Sequence, residues 1–532
     1  MNKVPVVIVG AGPVGLSCAI ELGTRGIECL LVERHDRVGV APRAKTTNVR
    51  SRTHFRRWGI ADKLAAASPF GVDYPSNIHF VTRLSGYRLA MMENAFNCNP
   101  QRDERYPEHA QWIPQYKVEQ ILREYADSLP GVTLHFSTEL LDAHQTDNVV
   151  TATLRDLSSD TEYTVQCQNL IGADGARSRV REIIGATMKG TYGLSRNYNI
   201  VFRAPGLAEA HSHGPGVMYW HINPEAPALI GPMDEGDKWF FMPTKLEHGR
   251  TLSDAEATEL IRRSTGFDLP FEPLSNDEWV ASRFIADKYH EGRVFLAGDA
   301  CHLHPPFGGY GMNMGICDAV DLGWKIAANL QGWGGPALLQ HYGTERRPVH
   351  EYILDEAVSN HEVLANQLWQ QGLEDATLEG EALRRQLGER IRSAKGKEFY
   401  SLGAVLGYRY EDSPLIVGDG SEAPAQGATN YVATSRPGHL APHTWLDTTT
   451  SLYDQCGLGF ALITKASTDP RAISDAVEEA DARGIPLAVV TLDTPEQEAL
   501  YPSGLTLVRP DQHVAWRGEN WDENTFNVVC GH

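Results

Sequence analysis

A glycine-rich turn near the start of the chain constrains the fold most strongly: Gly10-Ala11-Gly12-Pro13-Val14-Gly15. It follows a continuous apolar run at residues 5–9, which is typical of a strand buried on both faces. Helical spacing follows over residues 12–26, and a second short apolar run covers residues 28–33. Strand, glycine turn, helix and strand in this order predict a βαβ unit that begins a parallel sheet.

The chemistry of this turn predicts a dinucleotide site. Gly10, Gly12 and Gly15 allow the backbone to approach a pyrophosphate at a helix N-terminus. Glu33 ends the second strand at the spacing of the dinucleotide fingerprint and can accept both hydroxyls of an adenosine ribose. A carboxylate there disfavours the 2′-phosphate of NADP. The alternative is a glycine-rich turn with a surface glutamate.

Two further motifs follow predicted strands. Asp174, in the segment 171–178, could cap a helix, and by itself this segment is as readily a capping turn. The third motif runs from 293 to 313 and contains Gly298-Asp299-Ala300, Pro305-Pro306 and Gly308-Gly309-Tyr310-Gly311-Met312-Asn313. Its glycines bring N–H groups and a helix N-terminus to one place, which suits an anion or negative charge developing on a ring. The alternative is a strand-turn-helix packing element.

Composition excludes several classes of function. Lys and Arg total 48 and Asp and Glu total 68, so the net charge is −20, which argues against binding nucleic acid or anionic membranes. The eight cysteines are scattered without a CxxC pair, which favours a reducing cytosol. No apolar run approaches the ~20 residues of a membrane span, and the N-terminus lacks an export signal. We therefore expect a cytoplasmic protein.

The three motifs together resemble the class A flavoprotein monooxygenases, the aromatic hydroxylases related to para-hydroxybenzoate hydroxylase and phenol hydroxylase. The resemblance implies a bound FAD and NADPH or NADH as a transient co-substrate. It places Arg43 near the mobile flavin, links Asp174 to both FAD and NAD(P)H, and assigns Asp299 to the ribityl chain. The implied FAD contacts are Gly10, Gly12, Pro13, Val14, Gly15, Glu33, Arg34, Arg43, Gln115, Asp174, Gly298, Asp299, Pro306, Gly311, and the backbone of Met312 and Asn313.

The C-terminal part resembles the thioredoxin-like tail of the phenol hydroxylase-type branch, through residues 406–410, 436–443 and 507–517. Thioredoxins use a CxxC pair, whereas this tail has only Cys456 and Cys530, so we predict a structural role that helps to form a homodimer. The expected fold is α/β and α+β. A Rossmann-like FAD-binding domain (1–75, 103–185 and 281–395) is interrupted by an antiparallel-sheet substrate domain (76–102 and 186–280), and a thioredoxin-like domain (396–532) follows.

The resemblance implies oxygen transfer from a flavin C4a-hydroperoxide to a small phenolic or aromatic substrate, with O2 and NAD(P)H consumed. Such a species requires a dry pocket. Short aromatic runs at 217–222, 228–232 and 238–242 predict a meander beside the flavin. Strand alternation places Val217, Tyr219 and His221 on one face. With Ile230 and Phe241 they are the candidates to line the pocket, although this face could equally pack a core.

The residue that activates the phenol stays open among Tyr219, His221 and a backbone carbonyl near Pro305. Tyr310 stands where the family commonly has Gln, and it either faces the flavin or substrate or fills a gap. Cys301-His302-Leu303-His304 lies within the flavin motif without a second ligand pair, so we predict no metal site. Alternative functions are polyketide-tailoring hydroxylation, Baeyer–Villiger oxygen insertion, and a non-catalytic flavoprotein or thioredoxin-type binding protein.

Overall fold

The computed structural model describes residues 2–36, 44–246, 252–361 and 365–532. The predicted contact Arg43 therefore lies outside the described residues. The strands are β1 (Asn2–Val9), β2 (Cys29–Val32), β3 (Thr46–Thr47), β4 (Ile78–Val81), β5 (Arg88–Met92), β6 (Gln111–Trp112), β7 (Val132–His135), β8 (Thr138–Gln145), β9 (Val150–Asp156), β10 (Thr161–Gly172), β11 (Met188–Arg203), β12 (Met218–His221), β13 (Ala228–Asp234), β14 (Lys238–Pro243), β15 (Glu272–Ala286), β16 (His290–Glu291), β17 (Val294–Leu296), β18 (His302–Leu303), β19 (Phe460–Lys465), β20 (Leu487–Leu492), β21 (Leu505–Val508) and β22 (Val514–Gly518).

The helices complete the element list. They are α1 (Pro13–Gly23), α2 (Val49–Arg57), α3 (Ala61–Ala67), α4 (Gln115–Ser128), α5 (Arg179–Ile183), α6 (Leu207–Ala210), α7 (Asp254–Thr265), α8 (Tyr310–Gln331), α9 (Pro336–Gln340), α10 (Tyr342–His361), α11 (Ala365–Leu368), α12 (Leu378–Phe399), α13 (Leu402–Leu406), α14 (Leu452–Gln455), α15 (Pro470–Ala482), α16 (Pro495–Leu500) and α17 (Thr525–Val529). Along the described chain, none combines the length and apolarity needed to cross a bilayer.

The first sheet confirms the predicted parallel βαβ start. Its parallel core has the order β17-β10-β1-β2-β7, and β16 pairs antiparallel at one edge. The first half of β10 also continues into an antiparallel ribbon with β9 and β8. The strand β2 and the second half of β1 are buried because α1, α4 and α8 cover the sheet. This burial explains the continuous apolar runs that identified the strands.

The second sheet has the order β18-β15-β11-β14-β13-β12-β4-β5 and is antiparallel except where β12 pairs with β4. It contains the predicted aromatic meander, as β12, β13 and β14. Its two longest strands, β11 and β15, were not predicted individually, because polar residues, two glycines in β11 and one proline in β15 interrupt the apolar pattern. The predicted meander is thus confirmed.

The third sheet, β20-β19-β21-β22, forms the C-terminal part of the molecule. The strand β19 is parallel to β20 and antiparallel to β21. Trp324 and Ala328 of α8 pack in one hydrophobic cluster with Phe460 and Leu507 of this sheet. Both Cys456 and Cys530 are buried, unpaired thiols. The thioredoxin likeness, the domain boundaries and the homodimer stay predictions.

A buried group of charges joins the C-terminal part to α8 and α10. Arg509, between β21 and β22, contacts Asp321 at 3.1 Å, Glu345 at 2.9 Å and Asp511 at 2.7 Å. Lys325 contacts Asp321 at 2.7 Å and also Glu345. The guanidinium of Arg509 is fully buried among these acids, so removing it leaves uncompensated charge away from water.

Replacing Arg509 with Met should therefore lower the free energy of unfolding by about 3–5 kcal/mol, as expected for breaking a buried ion pair. Urea denaturation of the full chain measures the loss. The matched control is Arg471→Met on the exposed surface of α15, which should change stability by less than about 0.5 kcal/mol. Equal effects of the two substitutions would show that the charge group does not hold the parts together.

Candidate active site

The three sequence motifs meet at one edge of the first sheet. The glycine turn follows β1, Asp174 follows β10, and Gly298 follows β17, and these three parallel strands are neighbours. Backbone bonds join the turns, since Ala173 N donates to Val9 O at 2.9 Å and Ala297 N donates to Gly172 O at 2.9 Å. The carboxyl ends of parallel strands are where open α/β sheets bind ligands.

Two glycines permit this close meeting. A Cβ built on Gly10, whose φ is +104°, would lie 2.4 Å from the carbonyl oxygen of Ala173. A Cβ on Gly298, whose φ is +63°, would lie 2.8 Å from a methyl of Val14. The first motif therefore touches the second through Gly10 and the third through Val14. Only glycine permits both the backbone conformation and the approach.

The helices α1 and α8 both begin at this edge without a side-chain cap. Gly12 precedes α1 and Gly309 precedes α8, and neither end has a capping hydrogen bond from a side chain. Their first N–H groups are therefore available to a ligand, and both helix dipoles favour negative charge there. A Cβ built on Gly12 would meet no atom within 4 Å, so open space lies beside the N-terminus of α1.

Carboxylates surround this space. Glu33 accepts a hydrogen bond from Ala11 N at 2.9 Å and another from His35 N at 2.9 Å. Asp174 Oδ2 accepts from the N–H groups of Arg179 and Val180, at 2.7 and 3.1 Å, which confirms its capping geometry. Its Oδ1 is buried without a partner among the described residues, and burial raises the pKa of this carboxyl. Arg34 and Asp299 are exposed at the same edge.

A buried acid of α8 holds the third motif in place. Asp318 accepts from Gly298 N at 3.0 Å and lies 2.7 Å from Nε2 of His302. Its other oxygen contacts Arg346 Nε and His350 Nε2, both at 2.7 Å. Burial by itself would raise the pKa of Asp318, but the neighbouring His350 and Arg346 keep it well below the usual range. The aspartate thus fixes the position of Gly298.

The histidines of the third motif belong to this hydrogen-bonded group. His302 Nδ1 lies 3.2 Å from Nδ1 of His304, so one of these two nitrogens must carry a proton. The rings of His302 and His350 stack at 3.7 Å, so their in-plane nitrogen lone pairs run side by side instead of converging on one point. Although the three imidazoles gather within metal-ligand distance, their arrangement serves Asp318. The absence of a metal stays a prediction.

The second sheet faces the motifs with a different set of residues from the predicted one. Its inner face, formed by Val201, Trp220, Leu229 and Phe240, clusters with Phe307 of the third motif. Val217 packs with this face. The inner face is mostly aromatic and apolar, and the Phe80 ring stacks on Trp220 at 5.6 Å. The buried Lys395 of α12, paired with Glu398, lies with its Nζ 4.5 Å from the Trp220 ring centroid. A face of this kind excludes water from the space beside it.

Four of the predicted pocket residues lie instead on the outer face of the second sheet. Tyr219, Ile230 and Phe241 pack with Ala257 and Ile261 of α7. His221 Nδ1 lies 2.8 Å from Ser264 Oγ, and the Tyr219 hydroxyl donates to Gly214 O at 2.7 Å, so both polar groups are bonded away from the motifs. Burial lowers the pKa of His221 to about 3. Because side chains alternate along a strand, the inner face of the sheet is one residue out of step with the predicted set.

The other two catalytic candidates lie in the third motif. Tyr310 is buried in a hydrophobic cluster with Val49, Met314 and Leu402, which favours the gap-filling alternative. Pro305 is buried, and the exposed Pro306 accepts a hydrogen bond from Gly309 N at 3.2 Å, which closes the turn before α8. The participation of the Pro305 carbonyl in catalysis stays a prediction.

Comparisons with known proteins agree with this geometry. A family model described as an FAD binding domain matches residues 3–357, and one described as the C-terminal domain of aromatic-ring hydroxylases matches residues 434–529. The chain belongs to the FAD-dependent aromatic-ring hydroxylases. It is thus an FAD-dependent monooxygenase, as the resemblance implies.

Individual relatives in this hydroxylase family align with nearly the whole length of the chain. A 4-methyl-5-nitrocatechol 5-monooxygenase of Burkholderia sp. is 32% identical over 98% of this chain and 95% of its own. A tetracenomycin B2 monooxygenase-dioxygenase of Streptomyces olivaceus is 32% identical over 99% of this chain and 98% of its own. The solved structure of the rebeccamycin biosynthetic enzyme RebC with reduced flavin superposes with a TM-score of 0.91, at 34% identity, covering 100% of this chain and 99% of that one.

The described residues fit an FAD. The uncapped N-terminus of α1, with the space beside Gly12, suits the pyrophosphate. The Glu33 carboxylate, bonded to Ala11 N beside the same turn, suits the hydroxyls of a ribose. The uncapped N-terminus of α8, at Gly311 and Met312, suits the flavin ring. Gln115 binds the backbone of Ala44 through its side-chain oxygen at 3.1 Å and Glu119 through its amide nitrogen at 2.7 Å. Its predicted contact with FAD stays a prediction.

The Asn313 side chain has a role that sequence reasoning missed. Its oxygen accepts from Asn48 N and Ser51 Oγ, and its nitrogen donates to Thr46 O and Gly309 O, at 2.7–2.9 Å. The predicted backbone contact remains compatible with this. Sequence reasoning also missed Asp318, although an acid within an apolar helix was a signal for it. It missed Lys45 and Trp220 as well. Arg346 and His350 had no signal in the sequence.

The space beside Gly12 leads to a test that separates folding from FAD binding. Replacing Gly12 with Ala should leave the fold intact, because its φ of −71° suits any residue and no atom lies within 4 Å of the new methyl. The methyl would occupy the pyrophosphate approach, so the affinity for FAD should fall at least ~100-fold, or about 2.7 kcal/mol. Fluorescence titration of the apoprotein with FAD measures this.

The control for this substitution is Gly396→Ala in α12, where the new methyl also meets nothing within 4 Å. It should bind FAD like the unaltered chain. Unchanged FAD affinity in the Gly12 variant, with both variants folded, would contradict this location of the pyrophosphate.

Proposed function

We propose that this monooxygenase hydroxylates a phenolic or other aromatic ring, consuming O2 and using NADPH or NADH as a transient co-substrate. It acts as a cytoplasmic homodimer. The observation that carries the proposal is the meeting of the FAD-binding edge with the aromatic inner face at Phe307. A planar aromatic substrate between them would contact apolar rings on one side and the flavin site on the other.

Each part of the chain has a task in this reaction. FAD, when bound, supplies hydride acceptance from the nicotinamide and activation of dioxygen. The N-terminus of α8 stabilises negative charge at the flavin site, since its N–H groups have no side-chain cap. Trp220, Leu229 and Phe240 exclude water from the reacting ring. The Asp318 group holds the loop at Gly298.

A polyketide-tailoring oxygenase is the second candidate. The observation that favours it is the relative described as a tetracenomycin B2 monooxygenase-dioxygenase, which aligns with 99% of this chain. The relative described as acting on 4-methyl-5-nitrocatechol favours a single-ring phenol at nearly equal similarity. The two candidates share the FAD site and differ in the size of the ring system accepted.

Purified protein assayed with both substrate classes tests the proposal. The protein should show a flavin absorption spectrum, and NADH or NADPH oxidation should accelerate with a phenol or a fused-ring polyketide. The mass of the product should rise by one oxygen atom, and ring connectivity separates hydroxylation from Baeyer–Villiger insertion. A protein that takes up no FAD, or a product without added oxygen, would refute the function.

Adjacent phenylalanines of β14 test which face of the sheet binds substrate. Replacing Phe240 with Leu removes an aromatic contact of the inner face, worth about 0.5–1.5 kcal/mol, so KM for the substrate should rise about two- to tenfold. Steady-state kinetics and the ratio of product to NAD(P)H consumed provide the measurement.

The Phe241→Leu variant is the matched control, since this neighbouring ring packs against α7. It should lower the free energy of unfolding by about 1–2 kcal/mol and leave KM unchanged. If Phe241 and not Phe240 controls KM, the outer face lines the pocket after all.

A further inference from the structure

Lys45 is placed between the flavin elements and the substrate sheet. Its segment is fixed on both sides, because Ile113 N donates to Lys45 O at 2.7 Å and the Asn313 amide donates to Thr46 O at 2.9 Å. Ala44, on its other side, is bound by the Gln115 side chain. The backbone of Lys45 thus belongs to the FAD side of the site.

The side chain of Lys45 reaches the opposite wall. Its Nζ lies over the ring of Phe240, 2.7 Å from the ring centroid, on the inner face of the second sheet. The register pairs Phe240 with Gly231, and a Cβ on Gly231 would lie 2.8 Å from Cε1 of Phe240. The absence of a side chain at Gly231 lets the ring lie across β13 and present its face to the amine.

In the described parts of the chain the amine lies over the Phe240 ring and forms no ion pair with a carboxylate. The lysine is mostly buried, and burial lowers its pKa well below the usual range. The face of one phenyl ring contributes about 0.5–2 kcal/mol to a cation, which is less than the cost of burying an unpaired ammonium. The amine is therefore placed to accept a proton from an acidic group bound beside it.

We propose that Lys45 Nζ is the catalytic base that accepts the proton of the substrate's phenolic hydroxyl. The inference rests on the proposed function and adds the substrate class, a phenol whose hydroxyl lies at the Lys45 end of the inner face. The amine lone pair forms a new N–H bond as the O–H bond breaks, and the O–H electron pair stays on oxygen. The result is an ammonium–phenolate pair, which conserves charge and needs no other reactant.

Proton transfer to Lys45 would make the substrate ring more reactive. A phenolate is more nucleophilic than a phenol, and proton transfer to a positioned base makes it at a pH where the free phenol stays neutral. The ammonium formed is then paired with the substrate, which relieves the cost of its burial. The aromatic wall at Phe240 holds the ring plane while Lys45 holds its oxygen.

A phenol whose ionisation is visible tests the assignment directly. The FAD-loaded enzyme is titrated from acid to alkaline pH with 4-nitrophenol bound, and difference absorption reports the nitrophenolate. In the unaltered enzyme the bound phenol should ionise at least one pH unit below the free phenol, a tenfold shift. In Lys45→Met the shift should vanish, whereas Lys63→Met, an exposed lysine of α3, should retain it.

A second variant separates proton acceptance from simple attraction by positive charge. Lys45→Arg keeps the charge but cannot accept a proton at neutral pH, so it should bind nitrophenolate yet hydroxylate the weakly acidic catechol at least about tenfold more slowly. If Lys45→Arg hydroxylates catechol at the normal rate, the base assignment is overturned. An equal bound ionisation in Lys45→Met and the unaltered enzyme overturns it as well.

Two readouts keep this inference distinct from the proposed function. FAD content and substrate-stimulated NAD(P)H oxidation by the unaltered enzyme test the function, whatever the result at Lys45. If the enzyme does not bind 4-nitrophenol, the pH profile of kcat/KM is measured with its best phenolic substrate, and that profile tests the assignment of Lys45. The acid limb must disappear in Lys45→Met, and a limb that persists refutes the assignment.

Discussion

The four hydrogen bonds of the buried Asn313 amide are the interaction on which the site depends. Three of them join the first turn of α8 to residues 46–51, at the start of α2, and the fourth binds Gly309 O at the beginning of α8. One side chain therefore sets the distance between the N-terminus of α8 and the segment that carries Lys45. A buried amide can be satisfied in only a few geometries, so the junction has a single arrangement.

Buried charged groups further along α8 support this junction. Asp318, one and a half helical turns further along α8, holds Gly298. Asp321 of the same helix binds both Lys325 and Arg509, and Arg509 belongs to the C-terminal part. The helix α8 is thus the common support of the FAD edge and of the third sheet. Its burial along nearly its whole length explains why acids and a lysine are tolerated there only as mutually bonded groups.

The sequence predicted the meeting of the three motifs well and the inner face of the second sheet less well. The glycine turn, Asp174 and Gly298 follow strands whose continuous apolar runs are unmistakable, so their meeting at one sheet edge follows from topology alone. Tyr219 and His221 illustrate the limit. Alternation separates the two faces of β12 but does not say which face turns inward, and α7, which covers the outer one, lies over 30 residues away in sequence.

Contacts between residues far apart in the chain also could not be predicted from the sequence. No sequence pattern near Lys45 predicts that its amine lies over Phe240, because Phe240 is far away along the chain in β14. The attachment of the third sheet through Arg509 depends on acids of α8 and α10, which are far from Arg509 along the chain. Local pattern thus determined the elements and their order, whereas the pairing of buried charges required the assembled structure.

A crystal structure of the FAD-loaded enzyme with 4-nitrocatechol shows where the substrate binds. The aromatic ring should lie between the N-terminus of α8 and the inner face, against Trp220 or Phe240, with its hydroxyl oxygen within hydrogen-bond distance of Lys45 Nζ. A ring bound instead among Tyr219, His221 and α7, or a flavin remote from Gly12 and Met312, would contradict this arrangement of the site.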